Sequence, residues 1–282
     1  MQVINSIRSL RDTLSKPRRR GAKIGFVPTM GNLHDGHISL VEEAHKTCDL
    51  VVASIFVNPL QFAAGEDLDT YPRTFHEDKE KLEKSGCDII FAPTVTEMYP
   101  NGQGIETVVD LPSLSLLHCG ITRPHFFKGV ATVVVKLLNM VQPDTAFFGE
   151  KDRQQLTIIQ RVVNDLSIPV MIIGVSTRRD VSGLALSSRN GYLSEKERQQ
   201  AAFLYQTLEQ TREAIQQGER NYTDMEKMAN QCLSEQGFQP DYFHICQRDT
   251  LLPAQESDLE LAILTAAKLG DTRLIDNIVF EI

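Results

Sequence analysis

No Cys-x-x-Cys pair links any of the five cysteines of this 282-residue chain. Cys48, Cys87, Cys119, Cys232 and Cys246 are scattered and odd in number, which argues against a disulfide framework and for a reducing, cytoplasmic setting. Long apolar runs are also missing: no stretch reaches the roughly 18 residues needed to span a bilayer. The N-terminal MQVINSIRSLRD is amphipathic and lacks the apolar core and cleavage site of a signal peptide. Basic residues are outnumbered by acidic ones, 29 to 37. The formal net charge is -8, so the chain lacks the basic footprint of sequence-independent nucleic-acid binding. The one dense basic run, Arg18 to Arg20, reads as a solvated loop or a helix end. Internal repeats and low-complexity segments do not occur. Two common nucleotide fingerprints are absent as well: there is no G-x-x-x-x-G-K-[ST], and no G-x-G-x-x-G follows a strand. A nucleotide, if one binds, must be held by another device.

The first two thirds of the chain alternate short β-rich runs with helical patterns. KIGFVPT, DLVVASIFV, CDIIFAP, TAFFGE and PVMIIGV read as strands. Helices are expected near Gly36 to Cys48, over FHEDKEKLEKSG and over QQLTIIQRVVNDL. FKGVATVVVKLLNMV is crowded with β-branched residues, but its length and its Lys136-Leu137-Leu138 ending favour a buried helix. Near-continuous apolar strands separated by helices imply an α/β fold, a Rossmann-like parallel sheet with helices on both faces. After about Val175 the character changes. Ser194 to Glu197 fits a capping box opening a long helix, with Ala201, Leu204, Tyr205, Leu208 and Ile215 on one face. Thr223 to Glu226 repeats the capping pattern. DYFHIC, LELAILTAAKL and TRLIDNIVFEI follow as strands, the last two joined at Gly270-Asp271. The expected organisation is a first domain over 1–176 and a smaller C-terminal α+β domain with antiparallel strands over 177–282.

Four stretches carry residues suited to chemistry. PTMGNLHDGH places His34 and His37 between a strand and a helix start, where free N–H groups attract anions. Gly31 allows a tight turn and Gly36 a close approach of backbone to a ligand. Two imidazoles there suit a triphosphate and a departing pyrophosphate. A zinc site would need a third ligand, and neither H-E-x-x-H nor a cysteine partner is near; a pair of surface histidines is the plain alternative. FGEKDRQQL offers Lys151 as a mobile cation for phosphate and Asp152 as a helix cap or magnesium partner. LALSSRNGYLS gathers Ser187, Ser188 and Arg189, two hydroxyls and a guanidinium, in a loop able to close over a nucleotide. FVNPLQF sets Asn58 and Gln61 after the second strand, and Gln155 follows Lys151; neutral amides can read both a hydroxyl and a carboxylate. Each of the last three is also an ordinary surface turn when seen alone.

The ordered set VPTMGNLHDGH, NPLQF, YPRT, FFGEKDRQQL, LALSSRNGYLS and TRLIDNI covers nearly the whole chain and resembles the pantoate–β-alanine ligase (pantothenate synthetase) family. HDGH alone indicates only the wider nucleotidyltransferase superfamily. The resemblance implies a cytoplasmic, homodimeric ligase that uses ATP with Mg²⁺. ATP and (R)-pantoate would form a pantoyl adenylate and pyrophosphate; β-alanine would then displace AMP. By matching positions, Met30, Gly31, Asn32, Leu33, His34, Asp35, Gly36 and His37 would wrap ATP, with His37 the family's proton donor. Gly149, Glu150, Lys151, Asp152, Arg178, Leu186, Ser187, Ser188 and Arg189 would complete the nucleotide site. Lys151 and Ser187 to Arg189 would stabilise the phosphate in transit. Gln61, Gln155 and Met30 would bind pantoate, and Asn58 would meet the amine. The protein ligands of Mg²⁺ are not implied. The C-terminal domain is expected to act as a lid.

Two segments depart from the family pattern. Where R-P-G-H-F-R-G-V is usual, the chain reads Arg123-Pro124-His125-Phe126-Phe127-Lys128-Gly129-Val130. Where V-R-E-x-D-G is common, it reads Arg178-Arg179-Asp180-Val181-Ser182-Gly183, which leaves only a backbone contact to adenine at Arg178. Another nucleotidyltransferase of the same superfamily and a non-catalytic nucleotide sensor are the competing readings.

Overall fold

Short apolar runs without polar alternation suit strands covered on both faces. In the computed structural model, which describes residues 1–63, 65–102, 104 and 106–282, six of them form one parallel sheet. They are β1 (Gln2–Ile4), β2 (Ile24–Thr29), β3 (Leu50–Ile55), β4 (Ile89–Phe91), β5 (Thr145–Gly149) and β6 (Met171–Val175), in the spatial order β1-β4-β3-β2-β5-β6. The helices between them are α1 (Ile7–Arg19), α2 (Asp35–His45), α3 (Phe75–Lys84), α4 (Val95–Met98), α5 (Pro112–Ser115), α6 (Cys119–Thr122), α7 (Phe126–Val141) and α8 (Arg153–Asp165). A three-stranded antiparallel sheet follows: β7 (Gln239–Gln247), β8 (Glu260–Leu269) and β9 (Thr272–Glu281). Before it come α9 (Glu195–Ala201), α10 (Phe203–Gln216) and α11 (Tyr222–Glu235). Among the described residues no helix is long and apolar enough to cross a membrane.

The chain forms two compact units. One holds Met1–Leu116, Gly120–Glu150 and Ile158–Ser176; the other holds Leu117–Cys119, Lys151–Thr157 and Thr177–Ile282. Leu117–Cys119 and Lys151–Thr157 group with the second unit although they lie before residue 177.

In the first unit the sheet order turns at β2 and β5. β2 pairs with β3 on one side and with β5 on the other, all parallel. Strand order reverses there, and in open α/β sheets ligands bind beyond the carboxyl ends of the strands at such a switch point. Val27, Val51, Ala53, Ile90 and Phe147 pack with Leu40, Val41 and Ala44 of α2 and Leu82 of α3 in one core cluster. Phe26 and Val52 are fully buried and, by strand alternation, point to the opposite face. α7 forms as a helix despite its valines: it is 16 residues long and mostly buried, so packing overrides a weak local preference. The basic run ends α1, and Arg18 Nη2 donates to the carbonyls of Val141 (2.9 Å) and Gln142 (3.1 Å) at the end of α7. That satisfies acceptors a helix terminus leaves open.

In the second unit β8 pairs with both neighbours, and Leu269 opposes Thr272 across the Gly270-Asp271 turn, where Gly270 has φ 56°. Ser194 and Glu197 form the expected capping box at the start of α9. Two local expectations need correction. The helix it opens is interrupted at Ala202, giving α9 and α10. α11 is capped by Asn221, whose side chain accepts from Asp224 N, not by Thr223. Glu226 instead accepts from Ile245 N at 2.7 Å, tying α11 to β7.

His118 and His244 make an imidazole pair in this unit. Their Nδ1 atoms lie 2.8 Å apart, and His118 Nε2 is 2.8 Å from Leu251 O. A carbonyl only accepts, so His118 carries its proton on Nε2 and His244 donates from Nδ1. Burial pushes both imidazoles down, His244 to about 4 with the His118 ring adding to the effect. The unfolded chain therefore binds protons on these rings at a higher pH than the folded protein does. Their contribution is fully present above about pH 6.5 and is lost as pH falls towards 4. Thermal unfolding between pH 7.5 and 5 should show a falling Tm, with a shallower fall in His244→Gln. An unchanged Tm across that range would contradict the assignment.

Candidate active site

Thr29 ends β2 at this switch point, and the chain then turns sharply. Gly31 has φ 84° and Asn32 φ 50°, a left-handed pair in which glycine carries no side-chain penalty. The turn is held by Asp78 of α3, which is 1% exposed. Asp78 accepts from Asn32 N (2.8 Å), Leu33 N (2.7 Å) and Thr74 Oγ1 (3.2 Å). Lys81 Nζ, one turn along α3, donates to Leu33 O at 2.5 Å. The turn delivers His34 as the N-cap of α2. His34 Nδ1 accepts from Gly36 N at 3.1 Å, and His37 Nδ1 accepts from His34 N at 3.3 Å, a reciprocal capping box made of two histidines. The ring centroids are 4.1 Å apart. A neutral imidazole that accepts at Nδ1 carries its proton on Nε2. Each ring thus carries its proton on Nε2, beside a helix N-terminus, where the backbone favours anions.

The FVNPLQF stretch leaves β3 and forms a 3-10 turn over Pro59–Gln61 capped by Asn58. Gln61 Nε2 donates to Met30 Sδ at 2.9 Å, so this turn and the histidine turn meet in the first unit. Asn58 is fully buried, and its amide is engaged by Gln61, Gly129 and Tyr99. α7 runs close against the turn. A Cβ at Gly129 would stand 2.6 Å from the Leu60 carbonyl carbon and 2.8 Å from Gln61 N, both backbone atoms that cannot swing aside. Gly129→Ala is therefore expected to destabilise the protein by about 2–3 kcal/mol through overpacking. A Tm equal to wild type would show that the turn yields.

Gly149 ends β5 and Glu150 follows it in the first unit; Lys151 and Asp152, in the same 3-10 turn as Glu150, belong to the second. There Asn277 Nδ2 of β9 donates to Lys151 O at 2.8 Å. Its neighbour Asp276, 4% exposed, accepts both Arg179 nitrogens at 2.6 and 2.9 Å. The Arg179 guanidinium also lies 3.6 Å over the Tyr205 ring. Two adjacent residues of β9 thus anchor the Lys151 turn and the loop that leads to Ser187. Leu186 N donates to Arg178 O at 2.9 Å. Ser187 Oγ accepts from Arg189 N at 3.3 Å and opens a 3-10 turn over Ser188–Tyr192. Gln155 lies on α8, half-buried.

The sequence model of the family described as pantoate-beta-alanine ligase matches residues 2–279. The chain belongs to the pantoate–β-alanine ligase family. It is 55% identical over 278 residues to the pantothenate synthetase of Pseudomonas fluorescens strain Pf0-1, covering 99% of this chain and 97% of that protein. It is 54% identical to that of Marinobacter nauticus, covering 99% of each. The solved pantothenate synthetase of Thermus thermophilus superposes with a TM-score of 0.91 at 44% identity, covering 99% of both chains. A Francisella tularensis pantoate–β-alanine ligase, solved as a complex with beta-gamma ATP and β-alanine, superposes with a TM-score of 0.83 at 32% identity and covers 99% of this chain and 97% of that one. The six-stranded parallel sheet with its small antiparallel domain is the fold of these ligases.

The first segment that departs from the ligase pattern is built around Arg123. Its Nε and Nη2 hold the Glu66 carboxylate at 2.6 and 2.5 Å, and the Phe126 ring lies 3.9 Å below its guanidinium. Phe126, which replaces the usual histidine, thus packs against an ion pair. The second departure keeps its shape through Asp180, whose Oδ1 accepts from Ser182 N (2.8 Å) and Leu184 N (3.2 Å). Asp78, Gly129, Asp276 and Asn277 have no role legible in the motifs. Asp78 has one readable signal: it sits four residues before Leu82, on the buried face of an otherwise polar helix.

Proposed function

We propose that this chain condenses (R)-pantoate with β-alanine by way of a pantoyl adenylate, releasing pyrophosphate and then AMP. The observation that carries the reading is the two-histidine cap of α2 at the switch point of the sheet, in a chain that matches the ligase family along its length. The Francisella relative's complex with an ATP analogue and β-alanine supports the same substrates here.

The first step joins two anions, so the protein must offset their repulsion. A pantoate carboxylate oxygen attacks the α-phosphorus, and the bond to the β-phosphate breaks. The Nε2–H edges of His34 and His37 donate hydrogen bonds to the phosphates; His37, which accepts at Nδ1 and so holds a single proton, keeps that proton and stabilises the charge on the departing pyrophosphate rather than transferring it. Lys151, Ser187, Ser188 and Arg189 neutralise the phosphate in transit. Met30 to Leu33, Asp35, Gly36, Gly149, Glu150, Asp152, Leu186 and the Arg178 backbone surround the nucleotide. Gln61, Gln155 and Met30 hold pantoate; the role expected for Asn58, meeting the amine, is revised to one acting through Gln61, because its buried amide is already engaged by Gln61, Gly129, Leu60 and Tyr99. In the second step the β-alanine amine attacks the acyl carbon, the acyl C–O bond breaks and AMP departs with that oxygen.

Magnesium bound to the triphosphate would offset further charge. Among the described residues no cluster of three or more His, Cys, Asp or Glu side chains forms a metal cage, which fits an ion held through phosphates, water and at most one or two carboxylates. Asp152 would serve there either as a helix cap or as a magnesium partner. The second unit serves as a lid; scattering profiles unchanged by ATP plus pantoate would count against closure. A cytoplasmic homodimer completes the reading, and sedimentation of the purified protein tests the dimer. The activity itself is tested by AMP release from ATP, Mg²⁺, pantoate and β-alanine. AMP no higher than in a control without pantoate would refute it.

A further inference from the structure

Gln61 could present either edge of its amide to an acid, and the two edges do opposite things. The oxygen would repel a carboxylate; the nitrogen would donate to it. The surroundings decide between them. Leu60 N, which can only donate, lies 3.3 Å from one atom of the Asn58 amide, so that atom is Oδ1. Gly129 O, which can only accept, lies 3.1 Å from the other atom, so that atom is Nδ2. The second hydrogen of Nδ2 points to Gln61 at 3.2 Å, which makes the facing atom Oε1. Gln61 Nε2 is left on the Met30 side, 2.9 Å from the thioether sulfur. A thioether is a weak acceptor and takes one of the two N–H groups. The Tyr99 hydroxyl closes the chain, donating to Asn58 Oδ1 at 2.8 Å. Tyr99 and Asn58 are 3% and 1% exposed, so little water competes for these bonds. Burial also holds the phenol well above its ordinary range, keeping it a donor throughout the working pH.

We propose that Tyr99 is a positioning residue which, through Asn58, fixes the amide of Gln61 so that it meets the acid substrate as a hydrogen-bond donor. Tyr99 does not touch substrate. Its hydroxyl biases the orientation of Asn58, and Asn58 sets the polarity of Gln61. The inference rests on the proposed use of Gln61 for pantoate, and the test separates the two.

The test is Tyr99→Phe, which keeps the ring and removes only the hydroxyl. The loss of one neutral hydrogen bond in the relay is expected to raise the KM for pantoate about five- to tenfold. The KM for ATP should stay at the wild-type value. A purely structural role would lower Tm and leave the pantoate KM alone, and that result overturns the proposal. If the variant does not fold, Gln61→Glu decides. It keeps the acceptor that Asn58 holds and replaces the donor by an oxygen. Its pantoate KM should rise at least about a hundredfold, as expected when a donor facing a charge becomes a like charge; an unchanged KM overturns the donor assignment. Wild-type protein that releases no pantoate-dependent AMP would instead defeat the functional reading.

Discussion

Replacing His37 by alanine should slow adenylate formation by about a hundred- to a thousandfold, the usual cost of one lost donor to developing charge. Two roles meet in this side chain. Its Nδ1 accepts from His34 N and so helps to cap α2; its Nε2–H edge serves the departing pyrophosphate in the proposed mechanism. The alanine variant loses both, and the cap alone contributes about 1 kcal/mol to stability. His37→Asn separates them. The asparagine oxygen can reach the place of Nδ1 and retain the cap, but nothing replaces the outer N–H. Its Tm should stay close to wild type while its single-turnover rate falls nearly as far as that of alanine. A stable asparagine variant with a near-wild-type rate would reduce His37 to a cap.

Lys151→Met should lower the same single-turnover rate by about a hundredfold or more, and the loss should appear in kcat more than in the KM for ATP. Methionine keeps the length and apolar stem of lysine and removes its charge. The turn itself is held by Asn277 Nδ2 on the Lys151 carbonyl, a backbone contact that the substitution leaves in place. Folding is therefore not expected to change, and circular dichroism with thermal melts checks that. Asn277→Ala provides the contrast: it leaves the charge and removes the anchor. Its smaller kcat loss should accompany a lower Tm. If Lys151→Met turned over at the wild-type rate, the cation would lie outside the transferring phosphate's reach.

Elements that carry a complete pattern can be read from the sequence. Five of the six parallel strands are continuous apolar runs; β8 is another, and Gly270-Asp271 marks its turn into β9. β1 cannot be read, because three residues carry no period. The cap of α11 is misread because Thr223-x-x-Glu226 imitates a capping box; Glu226 is instead engaged by β7. The site divides in a similar way. His34, His37 and Lys151 announce themselves by residue type beside predicted strand ends, and Ser187 to Arg189 by two hydroxyls and a guanidinium in one loop. The residues that aim them do not, because their partners are distant in the chain. Asp78 reaches the Asn32 amide across 46 positions, and Asn277 reaches the Lys151 carbonyl across 126. Gly129 matters for the side chain it lacks, and that need exists only where α7 meets the Pro59–Gln61 turn.

The central claim is that pantoate is activated by its own carboxylate attacking the α-phosphorus. Pantoate labelled with ¹⁸O in both carboxylate oxygens tests it in one turnover with ATP, Mg²⁺ and β-alanine. Mass spectrometry of the products should find one heavy oxygen in AMP, one in the amide of pantothenate and none in pyrophosphate. Unlabelled AMP, or label appearing in inorganic phosphate alongside ADP, would contradict the account.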